Sequence, residues 1–172
     1  MSKLIKFVRE KLFHHHFVRV PQWFIISFLI LGLAGLIVSG YLVQQHYVAI
    51  SGASAFSTPG SCPIFGNGCQ TVTTSKYSEI VNIPVAAFGV LYYLLVFGLG
   101  LGYLFSQKRM IIISLIYLTI IGFVFTLWFE FAQLVLISAI CFYCMISALI
   151  STILFVLDVV LLSKFKIKVD LE

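Results

Sequence analysis

Charged residues are scarce in this chain. Only 10% of the 172 residues are Asp, Glu, Lys or Arg, whereas 61% are aliphatic, aromatic or sulfur-containing residues or alanine. Soluble domains carry about 25% charged residues. The shortage of charge excludes a disordered segment, a collagen-like chain and a cytosolic nucleotide-dependent enzyme, because none of these would keep so many apolar side chains, including 17 Phe, away from water. The composition therefore indicates a membrane protein with several spans.

Long stretches without charge predict where the spans lie. Residues 23–43 and 84–106 are uncharged, and each is long enough to cross a hydrocarbon core of about 30 Å. Residues 110–163 form an apolar run that is too long for one helix, so we expect the third helix to end near Glu130 and Gln133 and the fourth to begin around Ser138. This predicts an all-α integral membrane protein, a four-transmembrane-helix bundle with a large extracytoplasmic loop at about 44–83.

Two further features of the spans predict local structure. Asp158 falls near the end of the predicted fourth helix, beside Lys164, where a carboxylate at the level of the lipid headgroups costs little. Gly98 and Gly102 form a GxxxG pair, which favours close packing between helices.

The basic residues predict the orientation in the membrane. Ten of the eleven lie before the first span, between the second and third spans, or after the fourth, and only Lys76 lies in the large loop. The positive-inside rule then places both termini in the cytoplasm and the large loop outside. The net charge of +5 is therefore interpreted as a topology signal, and no nucleic-acid partner is expected. All four cysteines fall on the oxidising side, where disulfides persist.

The two ends of the chain differ in composition from the membrane spans. Residues 1–21 place apolar side chains at helical spacing between basic ones, which predicts a cytoplasmic amphipathic segment on the membrane surface. A cleaved signal peptide is the competing interpretation, but the apolar run is longer than the core of about 7–15 residues that signal peptides have. Residues 22–163 form the predicted membrane domain, and 164–172 a cytoplasmic basic tail.

Cys141 and Cys144 form a CxxC in the first turns of the predicted fourth helix. Residues three apart on a helix have Cα atoms about 5 Å apart, within the range that a disulfide needs. The helix N-terminus lowers the pKa of a thiol, which favours a redox-active pair. Cys141 would be the sulfur nearer the water. The alternatives are two cysteines that merely pack in the helix and a four-cysteine zinc site, which the wide separation of the pairs disfavours.

Cys62 and Cys69 bracket a six-residue segment that contains Gly66 and Gly68. The two glycines allow this segment to close into a small, exposed disulfide ring. Such a ring contributes little as a structural staple, and exposed disulfides exchange readily. Taken alone, structural and redox roles remain equally open. A loop pair and a helix pair on one side of the membrane together favour a relay from a water-soluble protein to a lipid-soluble electron carrier.

These motifs resemble those of the vitamin K epoxide reductase family in its bacterial branch. The resemblance covers residues 23–160 and rests on the order of four features: the loop pair, Ser75, Ile83-Pro84 and the late CxxC. It implies a disulfide-generating oxidoreductase of the bacterial inner membrane. The implied partner is a separate thioredoxin-like (DsbA-like) protein, and the implied cofactor is a quinone of the ubiquinone or menaquinone type. The order of the two cysteine pairs is the reverse of that in DsbB-type proteins.

The resemblance also implies roles for single residues. Cys62 and Cys69 become the shuttle pair, Cys141 and Cys144 the active-site pair, and Ser75 a polar residue near the active-site sulfurs. The aromatic residues that we expect to contact the quinone are Phe88, Tyr92 and Tyr143, although aromatic residues are enriched at membrane interfaces in general. No metal is expected.

The sequence thus predicts a quinone-dependent thiol:disulfide oxidoreductase. One alternative is that reduction of a quinone or quinone epoxide is the main physiological role. Another is a non-catalytic protein with four spans and two structural disulfides. His46, at the outer end of the first span, could assist proton transfer or serve as a polar anchor at the interface.

Overall fold

The computed structural model describes residues 20–51, 68–80 and 83–165, and four long helices dominate this part of the chain. In chain order the elements are α1 (Gln22–Ser51), α2 (Gly68–Thr73), β1 (Glu79–Ile80), β2 (Ile83–Pro84), α3 (Val85–Ser106), α4 (Arg109–Phe131), a π-helical segment (Ala132–Ile137) and α5 (Phe142–Phe165). The two short strands pair antiparallel. Helices α1, α3 and α5, and α4 together with its π-helical continuation, are each long and apolar enough to cross a membrane. The predicted four-span membrane protein is confirmed.

The first span is longer than the sequence predicted. We expected it to end at Val43, but α1 continues through Ser51. Gln44, Gln45 and His46 are polar, yet none of them breaks a helix, and no Gly or Pro occurs between positions 41 and 51. The last two turns of α1 therefore occupy part of the segment that we predicted to be loop.

The turn between the third and fourth spans also differs from the prediction. The π-helical segment carries the third span on to Ile137, and Ser138 follows in the left-handed conformation with φ 53°. The N–H of Ala139 then reaches back to the carbonyl oxygen of Gln133 over 3.3 Å. Helix α5 begins at Phe142 and not near Ser138. Because the turn has no Gly or Pro, the chain reverses through a widened helical turn, which sequence pattern alone does not reveal.

The core of the bundle lies where α1, α3, α4 and α5 meet. Its buried apolar side chains include Phe24, Phe28, Val96, Leu115, Leu154 and Leu161. The two tyrosines of α3 pack against glycines: a Cβ at Gly35 would lie 2.3 Å from the ring of Tyr93, and one at Gly122 would lie 2.4 Å from the ring of Tyr92. These two glycines therefore let the rings lie directly on the neighbouring backbones.

The GxxxG pair does not act as predicted. A Cβ at Gly98 would have no heavy atom within 4 Å, and one at Gly102 would only touch Ile111 at 4.0 Å. Both glycines therefore lie away from the close helix contacts within the described part of the chain.

Asp158 lies in the interior of the bundle, a position that the sequence did not predict. Its side chain is 1% exposed, and the Thr119 hydroxyl of α4 hydrogen-bonds its Oδ2. Helix α5 continues through Phe165, which places Asp158 about two turns from the helix end. The side chain also lies on the face of α5 that packs against α4, so it enters the bundle instead of reaching the headgroups.

Candidate active site

Cys141 is the residue immediately before α5, so it caps the helix. The N–H of Met145 donates to its carbonyl oxygen at 3.0 Å, and the N–H of Cys144 donates to its Sγ at 3.3 Å. The sulfur therefore takes the place of the oxygen that caps a helix N-terminus when Ser, Thr or Asp stands there. We predicted both cysteines inside the first turns of the helix, and only Cys144 lies there.

The two sulfur atoms of the CxxC lie in contact. Both cysteines are free thiols, and the Cys144 thiol donates to the Cys141 Sγ over 2.7 Å. The Cα positions at this spacing allow a disulfide, so the pair can interconvert between dithiol and disulfide with little movement of the backbone.

The two sulfurs of the pair differ in burial. Cys141 is fully buried, whereas Cys144 is only partly buried. The covering groups are Leu42 of α1 and Cys69 of α2, which form one buried cluster with Cys141. Those two helices close over the start of α5, and the sulfur nearer the predicted water side is therefore shielded from it.

Electrostatics favour the thiolate at Cys141. The hydrogen bond from the Cys144 thiol lowers the pKa of Cys141, and the backbone N–H groups of Cys144 and Tyr143 act in the same direction. Burial and the charge of Glu130 oppose this shift, but the pKa of Cys141 remains below its ordinary value. A lower thiol pKa in this pair was predicted from the helix N-terminus, and the structure assigns it to Cys141.

Helix α2 brings Cys69 to this pair. Cys69 is buried beside Cys141 and is itself disulfide-bonded. A Cβ at Gly68 would lie 2.2 Å from the carbonyl oxygen of Ile140. Only glycine therefore allows α2 to lie so close to the residue before Cys141. Cys62, which we predicted to act with Cys69, lies outside the described residues.

The His46 side chain connects the end of α1 to α2 and to the residues that follow it. Its Nδ1 lies 2.8 Å from the carbonyl oxygen of Thr73, and its Nε2 lies 3.2 Å from Oε1 of Glu79. The Thr73 hydroxyl in turn donates to the carbonyl oxygen of Cys69 at 2.8 Å. Both ring nitrogens of His46 therefore face oxygen atoms of the segment from α2 to β1. His46 is buried and is therefore a positioning residue for the Cys69 helix, not an anchor at the interface.

Ser75 lies in the turn that follows α2. Its hydroxyl donates to the carbonyl oxygen of Val72 at 2.8 Å, and the carbonyl of Ser75 accepts from the Ser78 hydroxyl at 2.7 Å. These bonds fix the turn that leads from the Cys69 helix to the strand pair. A role for Ser75 beside the sulfurs remains a prediction.

The three predicted quinone contacts occupy different places. Tyr143 packs beside the cysteines, with its ring centroid 4.7 Å from that of Tyr41. Phe88 is 44% exposed on α3. The Tyr92 hydroxyl is enclosed in the bundle, where it lies beside Ser151 and interacts electrostatically with Asp158. Of the three, the structure brings Tyr143 to the sulfurs.

Sequence reasoning missed the positions of two acidic residues. Glu130 was used only to locate a helix end, yet its charge acts on both Cys141 and Cys144. Asp158 was assigned to the headgroup region and lies in the core. The available signal was their position: each is an acidic residue inside a long apolar run, and such residues within membrane spans usually serve a function.

Comparison with known proteins gives a family. A sequence model of the vitamin K epoxide reductase family matches residues 26–159. This range includes Cys62, Cys69 and the CxxC, together with the four membrane spans apart from their outermost turns. No curated protein matches the sequence.

Proposed function

The chain belongs to the vitamin K epoxide reductase family, whose members are membrane oxidoreductases that link thiol chemistry to quinones, and we propose that it oxidises a thioredoxin-like partner and passes the electrons to a membrane quinone. The observation that carries this proposal is the contact of Cys69 with the CxxC. A disulfide-bonded cysteine and a free dithiol share one buried cluster, which is the arrangement that exchange between two pairs requires.

The first exchange occurs at the loop pair. A thiolate of the reduced partner attacks Cys62 of a Cys62–Cys69 disulfide, and Cys69 leaves as the thiolate. The second partner thiol then displaces Cys62, so the partner becomes oxidised and the loop pair becomes a dithiol. Each step forms one S–S bond and breaks another, and the electron pair stays with the sulfur that leaves.

The second exchange occurs between the two pairs. The Cys69 thiolate attacks Cys141 of an oxidised CxxC, and Cys144 leaves as the thiolate. Cys62 then resolves the Cys69–Cys141 bond, which restores the loop disulfide and leaves Cys141 and Cys144 reduced. This final state corresponds to the described one, with Cys69 disulfide-bonded and the CxxC free.

The surroundings of Cys144 fit a lipid-soluble acceptor. Cys144 is partly buried, and the next residue along the helix, Met145, is an apolar side chain that is 40% exposed and would face lipid. The quinone supplies a two-electron sink that is reached from the bilayer. Tyr143 beside the sulfurs would position its ring, and the charge of Glu130 acts on Cys144.

Two structural disulfides are the weaker alternative. The CxxC sulfurs are free and linked by a hydrogen bond, and the pKa of Cys141 is lowered. A cysteine pair with a purely structural role has no need of a stabilised thiolate. The charge distribution supports an orientation with both termini cytoplasmic and the cysteines outside. The bacterial inner membrane is the location that the resemblance implies.

The test uses the purified full chain, reduced thioredoxin and an added ubiquinone or menaquinone analogue under anaerobic conditions. We expect repeated oxidation of thioredoxin only when the quinone is present. The Cys144→Ser variant should lose quinone reduction. Its Cys141 thiolate should attack the loop disulfide at Cys69 with Cys62 as the leaving thiolate, so that a Cys69–Cys141 disulfide forms, detected by mass spectrometry of the unreduced digest. A Cys69→Ser substitution in the same background is the control and should abolish that crosslink.

Two results would contradict the mechanism. Sustained oxidation of thioredoxin without a quinone would show that another electron sink exists. A dominant Cys62–Cys141 crosslink in the Cys144→Ser variant would reverse the roles of the two loop cysteines.

A further inference from the structure

Asp158 is a buried acidic group for which the proposed mechanism has no use. Its side chain is 1% exposed within a membrane span. In the part of the chain that the structure describes, no basic side chain pairs with it, and its hydrogen-bond partner is Thr119 of α4. An ionisable residue at such a depth is costly, so its presence calls for a functional explanation.

The contact with Thr119 accepts either protonation state of Asp158. The Thr119 hydroxyl has one hydrogen, and it lies 2.9 Å from the carbonyl oxygen of Ile116 as well as beside Asp158. If Asp158 is ionised, the hydroxyl donates to its Oδ2. If Asp158 is protonated, its O–H donates to Thr119, whose hydrogen turns to Ile116. One rotation of a hydroxyl therefore allows Asp158 to bind or release a proton.

Further polar atoms lie enclosed near Asp158. The Tyr92 hydroxyl, the Ser151 hydroxyl and Oδ1 of Asp158 are buried and form no hydrogen bond of ordinary geometry among the described residues. The Tyr92 hydroxyl of α3 nevertheless lies beside Ser151 as a weak hydrogen-bonding neighbour and interacts electrostatically with Asp158. Three unsatisfied buried polar groups in one region of a bundle are unusual, and bridging waters are the common way to satisfy them.

The same face of α5 leads from Asp158 to the cysteines. This face carries Cys144, Ser147, Ser151 and Asp158, which follow one another at spacings of three, four and seven residues. Each spacing differs by at most about 60° from a whole number of helical turns, so the four side chains lie on one side of the helix. The Tyr93 hydroxyl joins this face by donating to the carbonyl oxygen of Ser147 at 2.7 Å. We call the set of Ser147, Ser151, Tyr92 and Asp158 the polar track.

We propose that Asp158 takes up protons from the end of the bundle opposite the cysteines, and that the polar track delivers them to the acceptor site at Cys144. This inference rests on the proposed function. Oxidation of each partner dithiol forms one S–S bond and releases two protons on the cysteine side. The quinone takes two electrons by way of Cys144 and two protons by way of Asp158, so the reaction moves charge across the membrane.

The test uses the full chain in liposomes that contain a ubiquinone analogue, with a pH-sensitive dye trapped inside and valinomycin with potassium to prevent a membrane potential. Reduced thioredoxin added outside cannot cross the bilayer, so it reacts only with molecules whose cysteines face outward. In those molecules the Asp158 end faces the lumen. We expect the lumen to lose two protons for each quinone reduced.

Variants separate the polar track from the thiol relay. Asp158→Asn should slow quinone reduction at least tenfold and abolish the lumenal pH change. The rate of a single turnover, in which thioredoxin reduces the CxxC once without quinone, should stay unchanged. Ser151→Ala should change both readouts in the same direction, and Asp158→Glu should retain them. Thr152→Ala is the matched control, because that hydroxyl donates to Ala148 of its own helix at 2.8 Å and lies off the track.

The outcomes distinguish this inference from the proposed function. Normal quinone reduction with a constant lumenal pH would overturn the proton path and leave the relay intact. An Asp158→Asn variant that still takes protons from the lumen would also overturn it. No quinone reduction by the unmodified protein would refute the proposed function, and the proton path with it.

Discussion

Replacing Gly68 with Ala should slow exchange between Cys69 and Cys141. A Cβ at Gly68 would lie 2.2 Å from the backbone oxygen of Ile140, whereas real Cβ contacts are essentially never shorter than 3.0 Å. Helix α2 or the chain before α5 must therefore move by at least 0.8 Å, the difference between these distances. Cys69 and Cys141 are the next residues on either side of the clash, so the displacement acts directly on the two sulfurs.

The expected loss follows from the sensitivity of bond-forming reactions to position. A misplacement of about 1 Å can cost about 100-fold in rate, so we expect a decrease between about 10-fold and 100-fold. The assay uses a Cys62→Ser/Cys144→Ser protein, in which Cys69 and Cys141 are the remaining cysteines. Diamide is added, and the rate at which the Cys69–Cys141 crosslink forms is measured by mass spectrometry.

A glycine elsewhere in the bundle provides the control. A Cβ at Gly98 would meet no heavy atom within 4 Å, so Gly98→Ala should leave the crosslinking rate unchanged. If Gly68→Ala crosslinks within twofold of the parent rate, the close approach of α2 to Ile140 does not hold the sulfurs together, and the reasoning is refuted.

Three further predictions concern His46, the CxxC and the topology. His46→Ala removes both contacts of the ring and should destabilise the protein by about 1–3 kcal/mol, with faster hydrogen exchange in α2; unchanged exchange there would exclude a fastening role. Cys141 should react with methyl methanethiosulfonate at a lower pH than an ordinary thiol, because its pKa is lowered. Cys144→Ala should move the midpoint of the pH–rate curve upward, and an unmoved midpoint would count against the hydrogen bond from the Cys144 thiol. Cysteines introduced at Lys76 should react with an impermeant maleimide in intact cells and those at Lys108 should not; labelling at Lys108 would reverse the orientation.

The spans could be predicted from sequence because the bilayer imposes a simple rule. Uncharged runs of sufficient length between groups of basic residues identified all four helices. The ends were harder to predict. The polar residues after Val43 were interpreted as loop, although His46 is buried by contacts with Thr73 and Glu79, about thirty positions along the chain. Such long-range partners leave no trace in local periodicity.

The candidate site was predictable in its chemistry and not in its packing. The CxxC followed from its spacing, and its position near a helix N-terminus followed from the assignment of the spans. The burial of Cys141 depends on α2, whose approach depends on the missing side chain of Gly68. The interior position of Asp158 depends on which face of α5 meets α4, and the rotation of a nearly uniformly apolar helix cannot be read from its sequence.

The cap that Cys141 provides for α5 has a consequence for the reduction potential of the CxxC. Its Sγ accepts the N–H of Cys144 as a thiolate, and a sulfur in a disulfide is a much weaker acceptor. Reduction therefore gains the capping energy, about 1 kcal/mol for a good cap. Stabilising the dithiol makes the corresponding disulfide a stronger oxidant, here by about 20 mV for a two-electron couple. The start of one helix thus tunes how readily the inner pair draws electrons from the outer one.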